Sequence, residues 1–310
     1  MSSKTQETSD YFNNNTEFWS SLFNKSIYGT ATQRVRIVAN KLRGLIENSN
    51  NNNSKCNFTH LDFGCGTGEL AAISASMGIQ VVAIDVAPAM VEVTLSSINT
   101  EFTDNVKVMQ GDVSSLKDVA DGSIDAFSAL GLIEYLTLDE LDVFLHEVAR
   151  ILRPHGKAYI GSRNRLFNIY SDNEFTSIEK GIGEYSKLCS ELDAIGEWTS
   201  DGLLIESLND RTKIRPFSNW KYPELLPSTS PVSVSQRIQY SVSDLSMRLI
   251  DNCLMLNDIK AVRFHPANLA VLDPARNVEL IDKVNLVIDE YDDTKWAIPY
   301  SSSFILEVSR

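Results

Sequence analysis

Apolar and polar positions along residues 57–162 follow a pattern typical of strands alternating with helices. Short apolar runs predict buried strands at 58–63, 81–84, 106–109, 124–130 and 158–161. The segments between them have helical spacing or turn residues. Strands separated by helices in this way predict a doubly wound, mostly parallel sheet of the α/β class, similar to a Rossmann fold.

The helices of this region have recognisable ends. A helix at 70–77 stops before Gly78, and a second is predicted at 90–98. Thr137 and Glu140 have capping-box spacing before a third helix, whose apolar face continues to residue 152. The regular pattern returns near the C-terminus, which predicts a helix at 245–256 and strands at 259–264 and 303–308.

Two segments depart from the alternation. Residues 1–54 read as an N-terminal helical arm followed by an Asn-rich linker, with residues 48–55 predicted to be a loop. Residues 55–310 form the main domain, in which 163–240 is a long insert of mixed polarity after strand five. A segment of that length inside a domain is typical of a lid or a substrate-binding region.

Composition and charge narrow the class of protein. Of 310 residues, 43% are hydrophobic and 22% charged, as expected of a globular core. The net charge of −13 disfavours nucleic acid as a partner. Four scattered cysteines without a CxxC pair indicate neither a disulfide framework nor a metal site. With no secretory signal or apolar membrane-spanning run, a cytoplasmic protein without stable membrane insertion is expected.

The most informative motif is the glycine-rich turn after the first strand, Leu-Asp-Phe-Gly-Cys-Gly-Thr-Gly-Glu-Leu at residues 61–70. Glycines at a strand-to-helix turn allow a ligand to touch the main chain, and the following helix N-terminus favours an anionic group. The dinucleotide fingerprint requires a glycine at position 69, where Glu69 stands.

Carboxylates follow the next two strands. Asp85 is placed to accept hydrogen bonds from ribose hydroxyls, or else to cap the helix that follows. Asp112 is placed to accept a hydrogen bond from an adenine amino group, or else to stabilise a turn. The residues alone leave both alternatives open.

Together these elements resemble the first three motifs of the class I S-adenosylmethionine-dependent methyltransferases, whose first motif reads Asp/Glu-x-Gly-x-Gly-x-Gly. The similarity extends to residues 123–127 and 152–157. It implies a seven-stranded sheet with an antiparallel last strand, S-adenosylmethionine as cofactor and S-adenosylhomocysteine as product. The cofactor contacts it implies are Asp62, Gly64, Gly66, Gly68, Asp85, Val86, Met90, Asp112, Val113 and Leu130.

The aromatic N-terminal arm resembles, more loosely, the openings of small-molecule methyltransferases. This resemblance implies that Tyr11 and Trp19 lie over the cofactor. The alternative is that these aromatic side chains only pack an amphipathic helix against the domain.

An oxygen or nitrogen acceptor needs a group that removes its proton. Glu134 and Tyr135 follow strand four and are candidates, although many relatives carry a histidine where Glu134 stands; His265 near strand six is a third candidate. Arg163, Asn164 and Arg165 follow strand five, and the arginines suit an anionic acceptor.

The function expected from the sequence is in-line methyl transfer to oxygen or nitrogen of a small-molecule or glycan acceptor. Two alternatives are an NAD-dependent oxidoreductase on a Rossmann sheet and a non-catalytic cofactor-binding module. The missing glycine at position 69 argues against the first. The complete set of glycines and carboxylates argues against the second.

Overall fold

The computed structural model describes residues 2–25, 30–51, 58–98, 100–223, 234, 237–267, 277–289 and 294–310. Its sheet has seven strands in the order β3-β2-β1-β4-β5-β7-β6. Their bounds are β1 Thr59–Phe63, β2 Gln80–Asp85, β3 Val106–Gln110, β4 Ile124–Leu130, β5 Leu152–Arg163, β6 Met255–Phe264 and β7 Ser301–Ser309.

The pairing of the strands confirms the predicted fold class. The first five strands are parallel, and β7 runs antiparallel to both β5 and β6. The chain winds outward from β1 to β3 on one side and from β4 to β5 on the other. The sheet order therefore reverses between β1 and β4, the place where doubly wound folds open a crevice for ligands.

Helices cover both faces of the sheet and form the arm and the insert. Their bounds are α1 Ser3–Asn14, α2 Thr16–Lys25, α3 Thr30–Asn51, α4 Glu69–Ser76, α5 Pro88–Ser97, α6 Leu138–Ile151, α7 Phe167–Ser171, α8 Glu174–Ile182, α9 Tyr185–Ser200, α10 Leu204–Leu208, α11 Arg211–Ile214, α12 Val242–Asp251 and α13 Val278–Asp289. The predicted capping box of α6 is present: Thr137 accepts from the backbone of Glu140, whose carboxylate accepts in return.

Several predicted boundaries were wrong. Strand β5 begins at Leu152, six residues before its predicted start. The helix predicted to reach residue 256 ends at Asp251, because the chain turns at Cys253, which has a positive φ of 59°. Strand β6 therefore begins at Met255. Residues 48–51 of the predicted Asn-rich loop continue α3 instead, since extending an anchored helix by one turn costs little. Residues 52–57 lie outside the described residues.

The core fills both faces of the sheet. One face buries Leu61, Phe127 and Ile160 under α6 and α12. On the other face α3 contributes Val38 and Leu42, both fully buried, beside α4. The helices of the insert extend the first of these clusters through a list of buried apolar side chains: Leu188, Ile195, Leu204, Leu208 and Ile214. Helices packed on both faces therefore keep the strand ends, where a ligand would bind, in fixed positions.

Membrane-spanning helices and groups of metal-binding side chains are both absent from the described residues. Within them, no helix is both long enough and apolar enough to cross a bilayer. The same ranges contain no group of three or more histidine, cysteine or acidic side chains arranged to hold a metal ion.

Candidate active site

The glycine-rich turn leaves β1 with a backbone that only glycine adopts easily. Gly64, Gly66 and Gly68 have φ angles of +75°, +56° and +86°. A Cβ added at Gly66 would meet nothing within 4 Å, whereas at Gly64 it would lie 2.5 Å from Leu132 Cδ1. Gly66 therefore presents bare main chain to open space, as a closely approaching cofactor requires.

Gly68 has a structural role besides the one predicted. It precedes α4, and a Cβ there would lie 2.8 Å from Thr94 Cγ2 and 2.9 Å from Thr94 Cα. It is not among the residues that line the cavity described below. The structure thus gives Gly68 a role that was not predicted, since it allows α4 and α5 to pack closely, and its contact with a cofactor stays a prediction.

Asp85 lies at the end of β2 with its carboxylate buried. One oxygen accepts a hydrogen bond from Gly66 N at 2.9 Å, and the other accepts from Ala87 N at 2.9 Å. Burial raises its pKa, and the two backbone donors partly offset that rise. The N-cap of α5 is Ala87, so Asp85 does not cap that helix. Its carboxylate instead fixes the glycine turn and lines the cavity.

Asp62 lies beneath the turn and is 3% exposed. Ser128 Oγ donates to its carboxylate at 2.6 Å and also contacts His60 Nε2 at 2.8 Å. Burial raises the pKa of Asp62 to about 7, and the carboxylates of Asp85 and Glu69 add to the rise. A cation near Asp62 would therefore favour its ionised form.

Asp112 follows β3 and stabilises the turn there, one of the two roles considered from the sequence; its contact with an adenine amino group stays a prediction. Its side chain accepts from Ser114 N at 2.9 Å and so caps the short 3₁₀ helix Val113–Asp118. Asp112 and Val113 also line the cavity.

A single cavity of about 880 Å³ joins these elements at the carboxyl ends of the parallel strands. Its volume lies within the usual range for small-molecule and cofactor sites. The candidate residues that line it are Trp19, Asp62, Gly64, Gly66, Asp85, Val86, Met90, Asp112, Val113, Leu130, Glu134, Tyr135 and Arg163. The bare main chain, buried carboxylates and apolar side chains fit a nucleoside cofactor with an amino acid moiety.

The N-terminal arm closes one side of the cavity. Ser9 Oγ donates to Val86 O at 3.1 Å, and Ala89 N donates to Asn13 Oδ1 at 3.0 Å. On the other edge Thr5 Oγ1 donates to the Glu140 carboxylate at 3.1 Å. These bonds tie α1 to the ends of α5 and α6.

The arm's aromatic side chains form a small cluster. Trp19 and Phe12 line the cavity, and the Phe12 ring packs edge-on against Tyr135 at 5.5 Å. Tyr11 packs behind Phe12 at 5.2 Å and does not line the cavity. The structure therefore brings Trp19 to the cavity and corrects the placement of Tyr11.

The far end of the cavity holds a buried carboxylate among arginines. Glu134 is 3% exposed, and its Oε1 lies 3.5 Å from Arg163 Nε and 3.6 Å from Arg237 Nε. Arg34 from α3 donates to Ser303 Oγ at 2.8 Å. All three arginines and Glu134 line the cavity.

Sequence reasoning missed Arg34 and Arg237. Arg34 belongs to a segment recognised only as an amphipathic helix, and Arg237 lies in the irregular part of the insert. The sequence contains one indication of Arg34, namely a charged residue beside the apolar face of that helix.

The substrate role predicted for Asn164 and Arg165 is corrected. Asn164 donates to Ile298 O at 2.7 Å and to Ser301 O at 2.9 Å, which anchors the start of the insert. Arg165 is 1% exposed and forms a two-bond ion pair with Glu179 at 2.9 and 2.8 Å. Neither lines the cavity.

His265 is also corrected as a candidate base. Its ring packs against Phe167 at 4.7 Å, it is 7% exposed, and it does not line the cavity. Burial lowers its pKa to about 4, with Arg263 adding to the shift. His265 is excluded as a base because it lies away from the cavity.

Comparison with known proteins agrees with this geometry. Residues 61–160 match the family model described as a methyltransferase domain. The chain is 33% identical over 113 residues to a ubiquinone biosynthesis O-methyltransferase of Xanthomonas oryzae and 34% identical over 106 residues to that of Xanthomonas campestris. Each match spans 34% of this chain and 43% of the relative.

The magnesium protoporphyrin IX methyltransferase of Synechocystis, solved with bound S-adenosylhomocysteine, has a similar fold. The TM-score is 0.53 at 13% identity, covering 99% of both chains. The family match, the sheet order and the Asp-x-Gly-x-Gly-x-Gly turn together show that residues 61–160 form a methyltransferase domain, similar to those of class I S-adenosylmethionine-dependent enzymes.

Proposed function

We propose that the protein transfers a methyl group from S-adenosylmethionine to oxygen or nitrogen of a small-molecule or glycan acceptor. The observation that carries the proposal is one continuous cavity with two chemically different ends. One end has the glycine turn and the carboxylates of Asp62, Asp85 and Asp112. The other has Glu134, Tyr135 and arginine side chains.

The names of the relatives support an oxygen acceptor only indirectly. The methyltransferase family model covers residues 61–160, which include the glycine turn and the carboxylates after β2 and β3. The arm and the insert lie outside that range. The matched residues therefore bear on the methyl donor, and the acceptor must be inferred from this chain's own side chains.

At the donor end, the residues present fit S-adenosylmethionine. Gly64 and Gly66 offer backbone to the amino acid moiety, and Asp85 offers carboxylate oxygens to ribose hydroxyls. Asp112 and Val113 would hold the adenine, beside the apolar side chains of Val86 and Met90. When bound, the cofactor supplies a methyl group already activated by its sulfonium.

The protein's contribution is mainly alignment and exclusion of water. Holding an acceptor in line with the methyl group contributes several kcal/mol without any further catalytic group. The arm, tied to α5 and α6 across the cavity, keeps water away from the reacting atoms.

Proton removal is assigned to Glu134. Burial raises the pKa of Tyr135 well above its ordinary value, so its phenol stays protonated and orients the acceptor as a hydrogen-bond donor. Glu134 Oε2 is buried and has no hydrogen-bond partner among the described residues. That oxygen takes the proton from the acceptor hydroxyl or amine, directly or through one water.

The test is transfer of isotope-labelled methyl from S-adenosylmethionine into small-molecule and glycan extracts, followed by mass identification of the product. We expect a labelled product and equimolar S-adenosylhomocysteine, with kcat lowered about 100-fold or more in Glu134→Gln. A cofactor-bound protein that labels nothing supports the non-catalytic module. Binding of NAD in place of S-adenosylmethionine supports the oxidoreductase.

A further inference from the structure

Three arginines from distant parts of the sequence meet at the acceptor end of the cavity. Arg34 comes from α3, Arg163 from the end of β5 and Arg237 from the end of the insert. Arg34 and Arg237 are each 9% exposed. We call these three residues the arginine cluster.

The charges around the arginine cluster do not balance within the described residues. Glu134 is the one described carboxylate within ion-pair distance of Arg163 and Arg237, at 3.5 and 3.6 Å from their Nε atoms. These distances exceed those of charge-assisted hydrogen bonds. Arg34 Nε and Glu134 Oε2 are buried and have no hydrogen-bond partner in the described part of the chain.

Burial of these cations has a cost that a missing anion would offset. Desolvation lowers the pKa of Arg34 and of Arg163, and the Glu134 carboxylate only partly opposes it. Among the described residues, three guanidinium groups surround one carboxylate at this end of the cavity, and a further anion bound there would offset the local excess of positive charge. The chain as a whole carries a net charge of −13, so a cluster of positive charge is opposite in sign to the protein's net charge.

We propose that the arginine cluster binds an anionic oxygen group of the acceptor, a carboxylate or a phosphate. The guanidinium fork pairs with two oxygens of either group, which supplies direction as well as affinity. This inference rests on the proposed function and refines it: the acceptor is a hydroxyl- or amine-bearing molecule with an anionic group. Glu134 Oε1 holds Arg163 and Arg237 in position to receive that group.

The test titrates inorganic phosphate and acetate into the protein, both alone and saturated with S-adenosylhomocysteine, by calorimetry. We expect saturable anion binding that weakens about tenfold or more in Arg163→Gln and in Arg237→Gln. The affinity for S-adenosylhomocysteine should stay within about threefold of wild type in both variants, since this is less than the loss of one good hydrogen bond. Arg163→Lys, which keeps the charge but not the fork, should recover part of the phosphate binding.

A matched control lies at the other end of the same strand. Arg153 near the start of β5 pairs with Asp125 and does not line the cavity, so Arg153→Gln should leave anion binding unchanged. Circular dichroism verifies that each variant is folded.

Two results would overturn the proposal. Equal phosphate and acetate binding by wild type and both glutamine variants would place the anion elsewhere. A variant that loses S-adenosylhomocysteine affinity while keeping anion affinity would assign the arginine cluster to the cofactor's own carboxylate. If S-adenosylhomocysteine fails to bind at all, the proposed function is wrong, and the titration without it still tests the arginine cluster.

Discussion

Gly66 is the residue at which backbone conformation and ligand access coincide. It has a φ of +56° and space in front of it on the cavity side. Valine at this position would strain the backbone by about 1–2 kcal/mol and extend into the cavity. We expect Gly66→Val to weaken S-adenosylhomocysteine binding about tenfold or more by calorimetry.

Gly122 provides a matched control for that substitution. Its φ is +57°, a Cβ there also meets nothing within 4 Å, and it does not line the cavity. Gly122→Val should therefore lower the free energy of unfolding by a similar amount and leave the ligand affinity unchanged. Equal loss of affinity in both variants would mean that strain, not access, explains the effect.

Asp62 should make cofactor binding depend on pH. Its ordinary pKa of 3.8 is raised to about 7 by burial. Cationic S-adenosylmethionine favours the ionised form, so its affinity should rise by up to about tenfold per pH unit below pH 7 and level off above it. Asp62→Asn should flatten this dependence in calorimetric titrations from pH 5 to 8.

The same shift predicts a stability trend in the unliganded protein. Between pH 4 and 7 the folded state holds a proton on Asp62 that the unfolded chain has released. The contribution of this residue to the free energy of unfolding should therefore fall as pH rises through that window. An Asp62→Asn variant with an unchanged pH profile would contradict the assignment.

Sequence patterns that are local led to residues that the structure places around one cavity. The glycine turn and Asp85 are recognised from a few neighbouring positions, because main-chain access and strand ends depend on short-range pattern. Arg34 and Arg237 meet only through the tertiary fold. Arg165 follows Arg163 by two residues yet faces Glu179 in the insert, a difference that strand geometry alone does not reveal.

Among the elements, helix α1 of the arm spans one side of the cavity through hydrogen bonds to the starts of α5 and α6. Asn13 Oδ1 accepts a hydrogen bond from the start of α5, whereas the exposed Gln6 side chain donates to Asp10 within α1 and has no described partner in another element. Asn13→Ala should raise the rate of hydrogen exchange in α1 and weaken S-adenosylhomocysteine binding about fivefold, the worth of about one hydrogen bond. Gln6→Ala is the control, and an equal effect from it would contradict a closing role for α1.

The fold of the insert is stabilised by a buried ion pair that includes Arg165, the residue predicted to bind substrate. Arg165 pairs with Glu179 and stacks on Trp220 at 4.8 Å and on Tyr222 at 5.1 Å. Arg165→Ala leaves a buried carboxylate unpaired and should lower the free energy of unfolding by about 3–5 kcal/mol in denaturant titrations.

Arg211 offers the comparison for that variant. It pairs with Asp251 at the surface, where both side chains are about half exposed. Arg211→Ala should cost less than about 1 kcal/mol. Similar losses in the two variants would show that the insert does not rely on the buried pair.

The sequence predicted the alternating elements well because hydrophobic period and capping residues are local. Thr137 and Glu140 marked the start of α6 correctly. The end of α12 was misplaced because Cys253, which has no special turn propensity, adopts a positive φ where the chain enters β6. The helices within 163–240 were not predicted. Helices α10 and α11 have only 5 and 4 residues, too few for a periodic signal, and they pack on α12.

At the scale of the whole molecule, the sheet brings the donor and acceptor ends into one cavity. The order reversal between β1 and β4 opens the crevice, the glycine turn lies on one side of it, and Glu134 with the arginine cluster lies on the other. The arm covers the opening from outside the sheet. We expect this cavity to bind S-adenosylmethionine at its glycine-rich end.

The decisive measurement is calorimetric titration of the purified protein with S-adenosylhomocysteine and, separately, with NAD, the larger and phosphate-bearing ligand of the alternative oxidoreductase. We expect saturable binding of one S-adenosylhomocysteine per chain, lost in Gly66→Val and kept in Gly122→Val, and no binding of NAD. Absence of heat with S-adenosylhomocysteine and S-adenosylmethionine, or equal binding by wild type and Gly66→Val, would contradict it.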